Sequence, residues 1–481
     1  MRRAPLLLLA PLLLAVLLGA GAPPPPAATP LDAVSTGRTM RLDLFHTGGK
    51  GLDVYAVDRA VDDGEWAGSA TRLLDDTELG AFRFEVRDAS SGRAIYSRGY
   101  SSLFGEWVTT AEARTAHRTF PESLRFPWPK SPVTVVVSGR DARNRWVEAW
   151  RTDVDPASPE ANAAPPPVTA RARTLFESGP PREKVDLLLL GEGYTEAELP
   201  KLDADAARLV DVLFRHEPFR SRRSDFNVRT LALPSRESGI CRPSSRLFRR
   251  TPLSVQYGIF GSERYALATD NRALREAASA APYDVLAVLV NEKRYGGGGI
   301  FNSQAAVTVD TGFADYVFVH ELGHAFAGLA DEYYTADVAY ETGRKDLPEP
   351  WEPNVTALRD PASLKWRELV SEGTPIPTPW DKEPFEAASR AVEAERKRRL
   401  AAGASPEEVD ALFREQQAAQ TKALSSTRFS GKVGAFEGAA YEATGLYRPA
   451  ADCIMFTRDP VGFCPVCRRA VERVIDLYAR P

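Results

Sequence analysis

The sequence predicts an α+β protein in which an N-terminal β-sandwich precedes an α/β domain. Short alternating apolar and polar stretches, separated by turn residues, recur between residues 39 and 155, a spacing typical of a sandwich. From residue 181 to the end of the chain, apolar strands alternate with helical patterns, which is typical of a layered α/β domain. Residues 156–180 are rich in proline and alanine with few apolar anchors, which predicts a linker.

The first 22 residues predict a cleavable signal peptide. Two arginines open the chain, Leu6–Leu18 form an apolar stretch, and small residues follow as far as Ala22. The stretch is short for a membrane span and Pro11 interrupts it, which favours cleavage over a retained anchor. We therefore expect a secreted or periplasmic protein without stable membrane insertion. Residues 23–38 are rich in proline at their start and predict a spacer.

The charge distribution argues against nucleic acid as a partner. The formal net charge is -4 over 481 residues, and the basic residues do not collect into one long tract. A nucleic-acid-binding protein needs a concentrated basic surface to neutralise phosphates. We therefore expect no nucleic-acid binding.

Strands and helices can be placed where the hydrophobic pattern is regular. In the first domain, strands are predicted at Met40–Phe45, Phe82–Val86, Val133–Val137 and Trp146–Val154. In the second domain, strands are predicted at Val185–Leu190, Phe226–Leu233, Val285–Val290 and Gln304–Val309, with a helix at Glu196–Arg215. These elements are the basis of the α/β prediction.

Two further segments have distinctive compositions. Tyr295–Gly299 ends in four glycines, but no Gly-Lys-Ser/Thr follows, so we predict a flexible loop rather than a phosphate-binding site. Residues 382–426 are charged and alanine-rich, which predicts a solvated helical hairpin inserted into the second domain. We expect no chemistry from the hairpin.

The four cysteines predict two disulfides. They are Cys241, Cys453, Cys464 and Cys467, an even count in an exported chain, and three pairings are possible. The spacing of Cys464 and Cys467 could instead indicate a redox pair or half of a zinc site. Export, and the lack of a second CxxC or of a nearby histidine, favour the disulfides.

The residues that indicate chemistry lie on a predicted helix, Asp315–Leu329. Within it, His320 and His324 are four residues apart and Glu321 follows the first histidine. Side chains at this spacing share one helical face, with Cβ atoms about 6 Å apart, so two imidazoles can bind one tetrahedral zinc ion. Glu321 is placed to act on a water molecule as a general base.

A His-Glu-x-x-His pattern also arises by chance, so a helix with incidental histidines is the alternative. The chain has only five histidines, and two of them stand at the required spacing in an otherwise apolar helix. A mainly apolar helix has little reason to bury imidazoles without a ligand. The pattern therefore favours metal binding.

The third ligand is predicted to be a carboxylate. The other histidines are remote in sequence from this helix, and a catalytic zinc site needs three protein ligands with one open position. Gly328 allows the helix to end and the chain to turn back, and Asp331 and Glu332 follow. Asp331 is the predicted ligand and Glu332 the alternative. Their other possible role is capping or ion pairing.

The run from His320 to Tyr333, HELGHAFAGLADEY, resembles the signature of the M64 family of metallopeptidases, the IgA peptidase family. Other segments also resemble blocks of that family, namely Arg41–Gly48 in its N-terminal domain and Val185–Thr195, Phe260–Arg264, Tyr295–Phe301, Trp351–Thr356 and Tyr447–Cys467. The resemblance implies a metzincin-like zinc peptidase with a zincin-like domain. It also implies Zn²⁺ ligands at His320, His324 and a following carboxylate, with Glu321 as the base.

Three details follow from that resemblance. In metzincin-type proteases the third ligand lies six residues after the second histidine, but here that position is Ala330, so Asp331 is chosen one step later. Such enzymes place a methionine in a tight turn beneath the metal, and Met455 is the candidate, with a plain core role as the alternative. Tyrosines 333, 441 and 447 are the candidates to stabilise an oxyanion; the sequence does not choose among them, and packing in the core or at the rim is the alternative role of each.

The predicted function is therefore that of a secreted zinc-dependent endopeptidase acting on a protein or peptide substrate. A zinc-activated water would attack the amide, with Glu321 as general base. By analogy with other zinc peptidases, Gln304–Val309 would be the edge strand that an extended substrate joins. Two alternatives remain: a secreted surface-binding protein with a non-catalytic zinc site, and a zinc amidase acting on cell-wall peptides.

Overall fold

A computed structural model describes residues 30–167, 170, 172–335 and 347–479. The predicted signal peptide and residues 23–29 of the predicted spacer lie outside the described residues. The predicted α+β class is confirmed, because an N-terminal domain of sheets precedes an α/β domain. Within the described ranges, no helix has both the length and the apolar character that crossing a bilayer demands.

The N-terminal domain consists of two four-stranded sheets packed face to face. Its strands are β1 (Ser35–Gly49), β2 (Leu52–Glu65), β3 (Phe82–Asp88), β4 (Ala94–Tyr100), β5 (Arg118–Pro129), β6 (Val133–Arg140), β7 (Trp146–Val154) and β8 (Ala161–Asn162). They are ordered β5-β1-β2-β8 and β4-β3-β6-β7. Two short helices, α1 (Leu31–Val34) and α2 (Leu103–Trp107), accompany them. Alternate residues of both sheets meet in one apolar cluster that includes Met40, Leu42, Phe84 and Val86.

The second domain is built on a six-stranded mixed sheet. Its strands are β9 (Ala172–Phe176), β10 (Val185–Glu192), β11 (Phe226–Leu231), β12 (Val255–Tyr257), β13 (Ala266–Ala268), β14 (Val285–Val290), β15 (Gly297–Ile300), β16 (Gln304–Thr308), β17 (Val433–Ala439) and β18 (Glu442–Ala450). The large sheet has the order β15-β16-β14-β10-β11-β9. Its four central strands are parallel and both edge strands are antiparallel to them.

Helices cover this sheet and extend from it. They are α3 (Leu199–Leu213), α4 (Asn271–Ala278), α5 (Ala314–Ala327), α6 (Lys382–Ala401), α7 (Pro406–Ser425) and α8 (Pro465–Ala479). Strand β10 shows why its sequence is continuously apolar. Leu187 and Leu189 face a core cluster shared with α3 and α5, while Leu188 and Leu190 face a second cluster on the other side. A strand buried on both faces has no polar side to expose.

The glycine run is a strand rather than the predicted loop. The run forms most of β15, which is the edge strand of the sheet. The prediction that Gln304–Val309 is the edge strand is therefore wrong, because that segment forms β16, the second strand from the edge. The reason is the close approach of β15 to α5. A Cβ added to Gly299 would lie 2.8 Å from the Cβ of His324 and would clash with the Glu321 carbonyl oxygen. The glycines therefore allow close packing against the helix.

The predicted linker contributes strands to both domains. Strand β8 pairs with β2 of the sandwich, and β9 pairs with β11 of the large sheet. The two domains also touch directly, since the Asn302 side-chain amide donates to the Gly99 carbonyl at 2.9 Å and the Arg125 guanidinium donates to the Tyr283 carbonyl at 2.9 Å. The described parts of the predicted linker are thus incorporated into the two sheets.

Candidate active site

Helix α5 carries the two histidines and ends where the sequence predicts a turn. Gly328 has a positive φ of 60° and caps the helix in the left-handed conformation. Its N–H donates to the His324 carbonyl at 3.0 Å, and the N–H of Leu329 donates to the Gly323 carbonyl at 3.2 Å. The bond from Gly328 is that of an αL C-cap, and together the two bonds reverse the chain direction. The following residues are thereby returned along the helix toward the histidines.

Three side chains converge at this point. The Nε2 atoms of His320 and His324 are 3.1 Å apart. The Oδ1 atom of Asp331 lies 3.0 Å from the first and 3.2 Å from the second. All three atoms could reach one ion, because a tetrahedral zinc with N and O ligands has ligand–ligand edges of about 3.3 Å.

The imidazoles are oriented by backbone carbonyls. Nδ1 of His320 lies 2.9 Å from the carbonyl oxygen of Ile454, and Nδ1 of His324 lies 2.5 Å from that of Leu329. A carbonyl oxygen only accepts, so each Nδ1 carries the proton and each Nε2 presents its lone pair to the Asp331 oxygen. This is the second-shell arrangement expected of metal-binding histidines.

The charges of His320, His324 and Asp331 favour a cation or a proton in the space between them. Burial opposes ionisation of Asp331, yet the two imidazoles hold the pKa of its carboxyl well below the usual range. Burial lowers the pKa of His324, but Asp331 outweighs this effect and the pKa is raised to about 9. Two lone pairs and a carboxylate oxygen can share this space only with a proton or a cation. The donor set therefore fits a divalent metal ion.

A strained hairpin turn supports Asp331 from the other side. The turn between β17 and β18 is formed by Ala440 and Tyr441, whose φ angles are 47° and 66°. The N–H of Ala440 donates to the Asp331 carbonyl at 2.9 Å, and the Tyr441 hydroxyl donates to Asp331 Oδ2. Positive φ at two non-glycine residues is costly and often occurs at functional sites. Here it delivers the tyrosine hydroxyl to the carboxylate.

Met455 lies under the helix between the two histidines. A Cβ built on Gly323 would be 2.9 Å from the Met455 sulfur, so glycine at this position allows the close contact. Met455 is fully buried, and its carbonyl accepts a hydrogen bond from the N–H of Glu332 at 2.8 Å. It belongs to a tight turn in which the N–H of Phe456 donates to the Cys453 carbonyl at 2.8 Å. The candidate methionine therefore does lie in a turn beneath the histidines.

Glu321 is half-buried and opens onto the same cleft as the histidines. Burial raises the pKa of its carboxyl, while the positive character of the His320 and His324 rings opposes that rise. A carboxylate with a raised pKa is better suited to accept and return a proton near neutral pH.

The cleft has a volume of about 470 Å³ and is walled by several parts of the chain. The N-terminal domain contributes Ser101, Ser102, Gly105, Glu106 and Thr109. The helical hairpin α6–α7 contributes Phe385, Ser389, Phe413, Gln416 and Gln420. Both regions therefore shape the site, although the sequence had suggested no chemistry for the hairpin and had left the role of the first domain open.

Among the cleft residues that were not identified as site residues from the sequence are Arg264, Tyr295, Tyr316 and Arg458. The Tyr316 hydroxyl lies 3.1 Å from Nδ1 of His320. The Arg264 guanidinium donates to the Tyr333 hydroxyl oxygen at 3.2 Å, and Arg458 donates to that of Tyr295 at 3.2 Å. Arg264, Tyr295 and Arg458 fall in segments that resemble family blocks, and Tyr316 lies on the predicted helix; these were the only available signals.

The structure separates the three candidate tyrosines. Tyr333 and Tyr441 line the cleft, with ring centroids 5.6 Å apart. Tyr447 is outside the cleft lining, and its backbone pairs with that of Thr356. Since the Tyr441 hydroxyl is engaged by Asp331, Tyr333 is the better placed to donate to a substrate.

The two predicted disulfides are wrong for the structure as described, which includes all four cysteines and shows each of them free. Cys241 lies apart from the others, and its thiol donates to the Arg249 carbonyl at 2.9 Å. Cys453, Cys464 and Cys467 instead cluster with Glu332. The alternative third ligand, Glu332, is thus directed away from the histidines.

Comparisons with known proteins agree with this geometry. A family model described as IgA Peptidase M64 matches residues 174–475, and a model described as Peptidase M64 N-terminus matches residues 31–151. A search of the curated proteins finds no match. Because the first model covers more than half of the chain and contains the histidine helix, the chain belongs to the M64 family of peptidases.

Proposed function

We propose that this protein is a secreted zinc-dependent endopeptidase in which Glu321 is the general base. Family membership makes it a peptidase, and the family is one of metallopeptidases. The proposal adds that the metal is zinc, that Glu321 is the base and that the protein is secreted. Secretion is supported by the signal-like N-terminal sequence, Leu6–Leu18 followed by small residues.

One observation carries the proposal. The Nε2 atoms of His320 and His324 and Oδ1 of Asp331 lie within 3.2 Å of one another at the floor of a cleft that Glu321 also lines. Three protein ligands facing an accessible space are the arrangement of a catalytic rather than a structural zinc site. A zinc ion held there supplies Lewis-acid polarisation of the scissile carbonyl and of the attacking water.

Glu321 handles the proton. Its carboxylate accepts the proton of the attacking water and returns it to the leaving nitrogen, which then departs as an amine. The raised pKa of this carboxyl favours both transfers. Asp331 and the two histidines keep their positions through the backbone carbonyls and Tyr441, so the reacting groups need little rearrangement.

Strand β15 supports binding of an extended substrate. It is an edge strand of the large sheet, and Gly297, Gly298 and Gly299 line the cleft. The N–H of Gly297 points away from β16 to the Arg264 carbonyl at 3.1 Å, so by strand alternation the backbone of Gly299 also points away from β16. The Arg264–Tyr265 segment occupies this edge at Gly297, so a peptide would pair by β-augmentation further along it, at Gly299.

Tyr333 is the proposed oxyanion donor. Its hydroxyl oxygen accepts from Arg264, which leaves the phenolic proton for a second partner. The Tyr333 ring lies nearly parallel to that of His320, with centroids 6.3 Å apart, so the hydroxyl is held close to the histidines. A fixed donor aimed at developing negative charge stabilises the transition state.

The test combines one substitution with metal removal. Glu321→Gln should lower kcat/KM on a quenched-fluorescence peptide library by about 10²- to 10⁴-fold while zinc content and unfolding midpoint stay unchanged. Treatment with a chelator should abolish wild-type activity, and added zinc should restore it. Glu196→Gln, at an exposed position remote from the cleft, is the matched control and should keep full activity.

The same assay separates the alternatives. A wild-type protein that binds zinc but turns over no peptide would overturn the enzyme proposal in favour of a binding protein. Hydrolysis confined to cell-wall peptide amides would replace the endopeptidase by an amidase. Full activity of Glu321→Gln would show that Glu321 is not the general base.

A further inference from the structure

A second group of metal-binding side chains lies beside the first. Cys453, Cys464, Cys467 and Glu332 place their donor atoms within 4.8 Å of one another. All four side chains are buried, with Glu332, Cys453 and Cys467 at 0% exposure and Cys464 at 6%. Thiols and a carboxylate do not otherwise gather in an apolar interior, because a carboxylate isolated from water is unfavourable.

The distances in this group match a tetrahedral thiolate site. The sulfurs of Cys453 and Cys467 are 3.8 Å apart, and the Cys467 sulfur is 3.3 Å from Oε1 of Glu332. Zn–S bonds of about 2.3 Å and Zn–O bonds of about 2.0 Å give tetrahedral edges of about 3.8 Å between sulfurs and about 3.5 Å between sulfur and oxygen. A disulfide requires a sulfur–sulfur distance of about 2.05 Å.

The carboxylate has unused bonding capacity. Oε1 of Glu332 accepts from the Asn354 side-chain amide at 3.0 Å. Its other oxygen, Oε2, is buried and has no hydrogen-bond partner among the described residues. A buried carboxylate oxygen without a partner is a rare feature that calls for an unseen cation or water. This observation is independent of the thiols and concerns the same carboxylate that lies beside them.

We propose that Cys453, Cys464, Cys467 and Glu332 bind a zinc ion as a closed structural site. The three thiols lose their protons on binding, and four protein ligands leave no open position. Three thiolates and a carboxylate around a divalent ion carry a net negative charge. The buried guanidinium of Arg448, whose charge interacts with Glu332 and Cys453, opposes that charge.

A redox role for Cys464 and Cys467 fits the structure less well. Their spacing at the start of α8 is that of a thiol–disulfide pair. A redox pair must be reached by a partner thiol, whereas these two sulfurs are buried and share their space with a third thiol and a carboxylate. Metal ligation uses all four groups and needs no partner.

The proposed site is connected to the histidine cluster through one tight turn. Cys453 begins the turn, the Ile454 carbonyl accepts from His320 Nδ1, and Met455 packs beneath α5. Glu332 adjoins Asp331, and its N–H donates to the Met455 carbonyl at 2.8 Å. An ion held by Cys453 and Glu332 therefore fixes both the support of His320 and the segment that carries Asp331.

The decisive experiment removes the histidine cluster and leaves the cysteines intact. Full-length protein carrying both His320→Ala and His324→Ala should retain one tightly bound zinc ion per chain. The wild-type protein should bind two. X-ray absorption at the zinc edge of the variant should show sulfur neighbours at about 2.3 Å. After exchange with cobalt, the variant should keep the sulfur-to-metal charge-transfer absorption.

Substitution of the cysteines gives the reciprocal result. Cys464→Ser should weaken retention of this ion at least about tenfold and abolish the charge-transfer absorption, whereas Cys241→Ser, outside the cluster, should change neither. A histidine variant without zinc, or a peptide map of unreduced protein that joins Cys453 to Cys464 or Cys467, would overturn the proposal. If Glu321→Gln kept full activity, the proposed peptidase mechanism would be wrong. The proposal of a zinc ion at the cysteine cluster would be unaffected, because its test is the zinc content of the histidine and cysteine variants.

Discussion

Two neighbouring clusters differ in ligand chemistry and in access to solvent. His320, His324 and Asp331 present nitrogen and oxygen atoms at the floor of a cleft. Glu332 and three cysteines present oxygen and sulfur atoms in a sealed interior. The consecutive carboxylates serve different clusters, and their segment is held by the Ala440–Tyr441 turn, whose two N–H groups donate to the carbonyls of residues 331 and 333.

The difference teaches how one short segment can support two roles. A catalytic ion needs an open position for water and substrate, while a structural ion is best enclosed by four protein ligands. Asp331 contacts the histidines and Glu332 the cysteines, so adjacent residues meet these opposite demands. Substitutions at adjacent positions should therefore have separable effects, and the following predictions test that separation from the largest effect to the smallest.

The sharpest contrast is between Asp331→Asn and Glu332→Gln. Loss of the anionic ligand at the open cluster should lower kcat/KM at least about 100-fold, since even outer partners of metal ligands are worth about 10- to 100-fold. Glu332→Gln should leave kcat/KM within about tenfold but lower the unfolding midpoint and the zinc content. Peptide hydrolysis, zinc analysis and thermal unfolding of both variants measure this. Equal losses of activity would contradict the separation.

Tyr441→Phe tests the support of the open cluster. Without the hydroxyl bond to Asp331 Oδ2, metal affinity or activity should fall about 10- to 100-fold, as for other partners of metal ligands. Metal titration and kcat/KM measure the effect. Tyr447→Phe is the matched control, because Tyr447 lies outside the cleft lining, and a comparable loss in that variant would contradict the assignment.

Gly299→Ala tests the packing of β15 on the histidine helix. The added methyl would lie 2.8 Å from the His324 Cβ, and overpacking of this kind costs about 1 to 3 kcal/mol of unfolding free energy. Urea unfolding should detect the loss together with reduced activity. Gly139→Ala is the control, since its new Cβ would meet nothing nearer than Phe82 at 3.8 Å. Equal stability of the two variants would argue against close packing as the reason for the glycine.

Met455→Leu separates packing from any special property of sulfur. The side chain is fully buried, and a swap of similar volume should cost less than about 1.5 kcal/mol of unfolding free energy. Activity at saturating zinc should stay close to that of the wild type. A large drop in kcat with unchanged stability would show that the thioether itself acts on the histidine cluster.

The smallest expected effect is a gain. Ala440 has a φ of 47°, a conformation that costs a non-glycine residue about 1 to 3 kcal/mol. Ala440→Gly should relieve this strain and raise the unfolding free energy by about 1 kcal/mol after the greater entropy of unfolded glycine is subtracted. Chemical denaturation measures it, and kcat/KM should be retained. A loss of stability would mean that the turn is not strained.

The sequence predicted the features that depend on local geometry. The four-residue spacing of His320 and His324 fixes their common face in any helix, and α5 begins and ends within two residues of the predicted helix. Asp331 was chosen over Glu332 because it directly follows Ala330, the position six residues after His324 that the family resemblance implies for the third ligand, and the structure directs only Asp331 to the histidines. Strand β14 has the predicted bounds, Val285–Val290, because its apolar run is short and clearly delimited.

Features that depend on contacts distant in sequence were missed. The cysteines were paired because an exported chain favours disulfides, and nothing local signals that Glu332 joins residues more than a hundred positions away. The glycine run was interpreted as a flexible loop because glycine serves turns and close packing equally. The two roles of glycine can be distinguished only once the position of α5 is known, because Gly299 packs closely against that helix. The tyrosines could not be ranked for the same reason.

The sandwich domain has a consequence for maturation of the protein. Residues 101–109 of that domain form part of the cleft wall, and the Tyr265 hydroxyl donates to the Glu106 carboxylate across the seam. Proteolytic trimming that released the first domain would strip one side from the substrate channel and expose apolar surface of the second domain. Because both halves line the cleft, we expect both to influence peptide selectivity, and we expect an enzyme without the first domain to cleave different sequences from those cleaved by the intact chain.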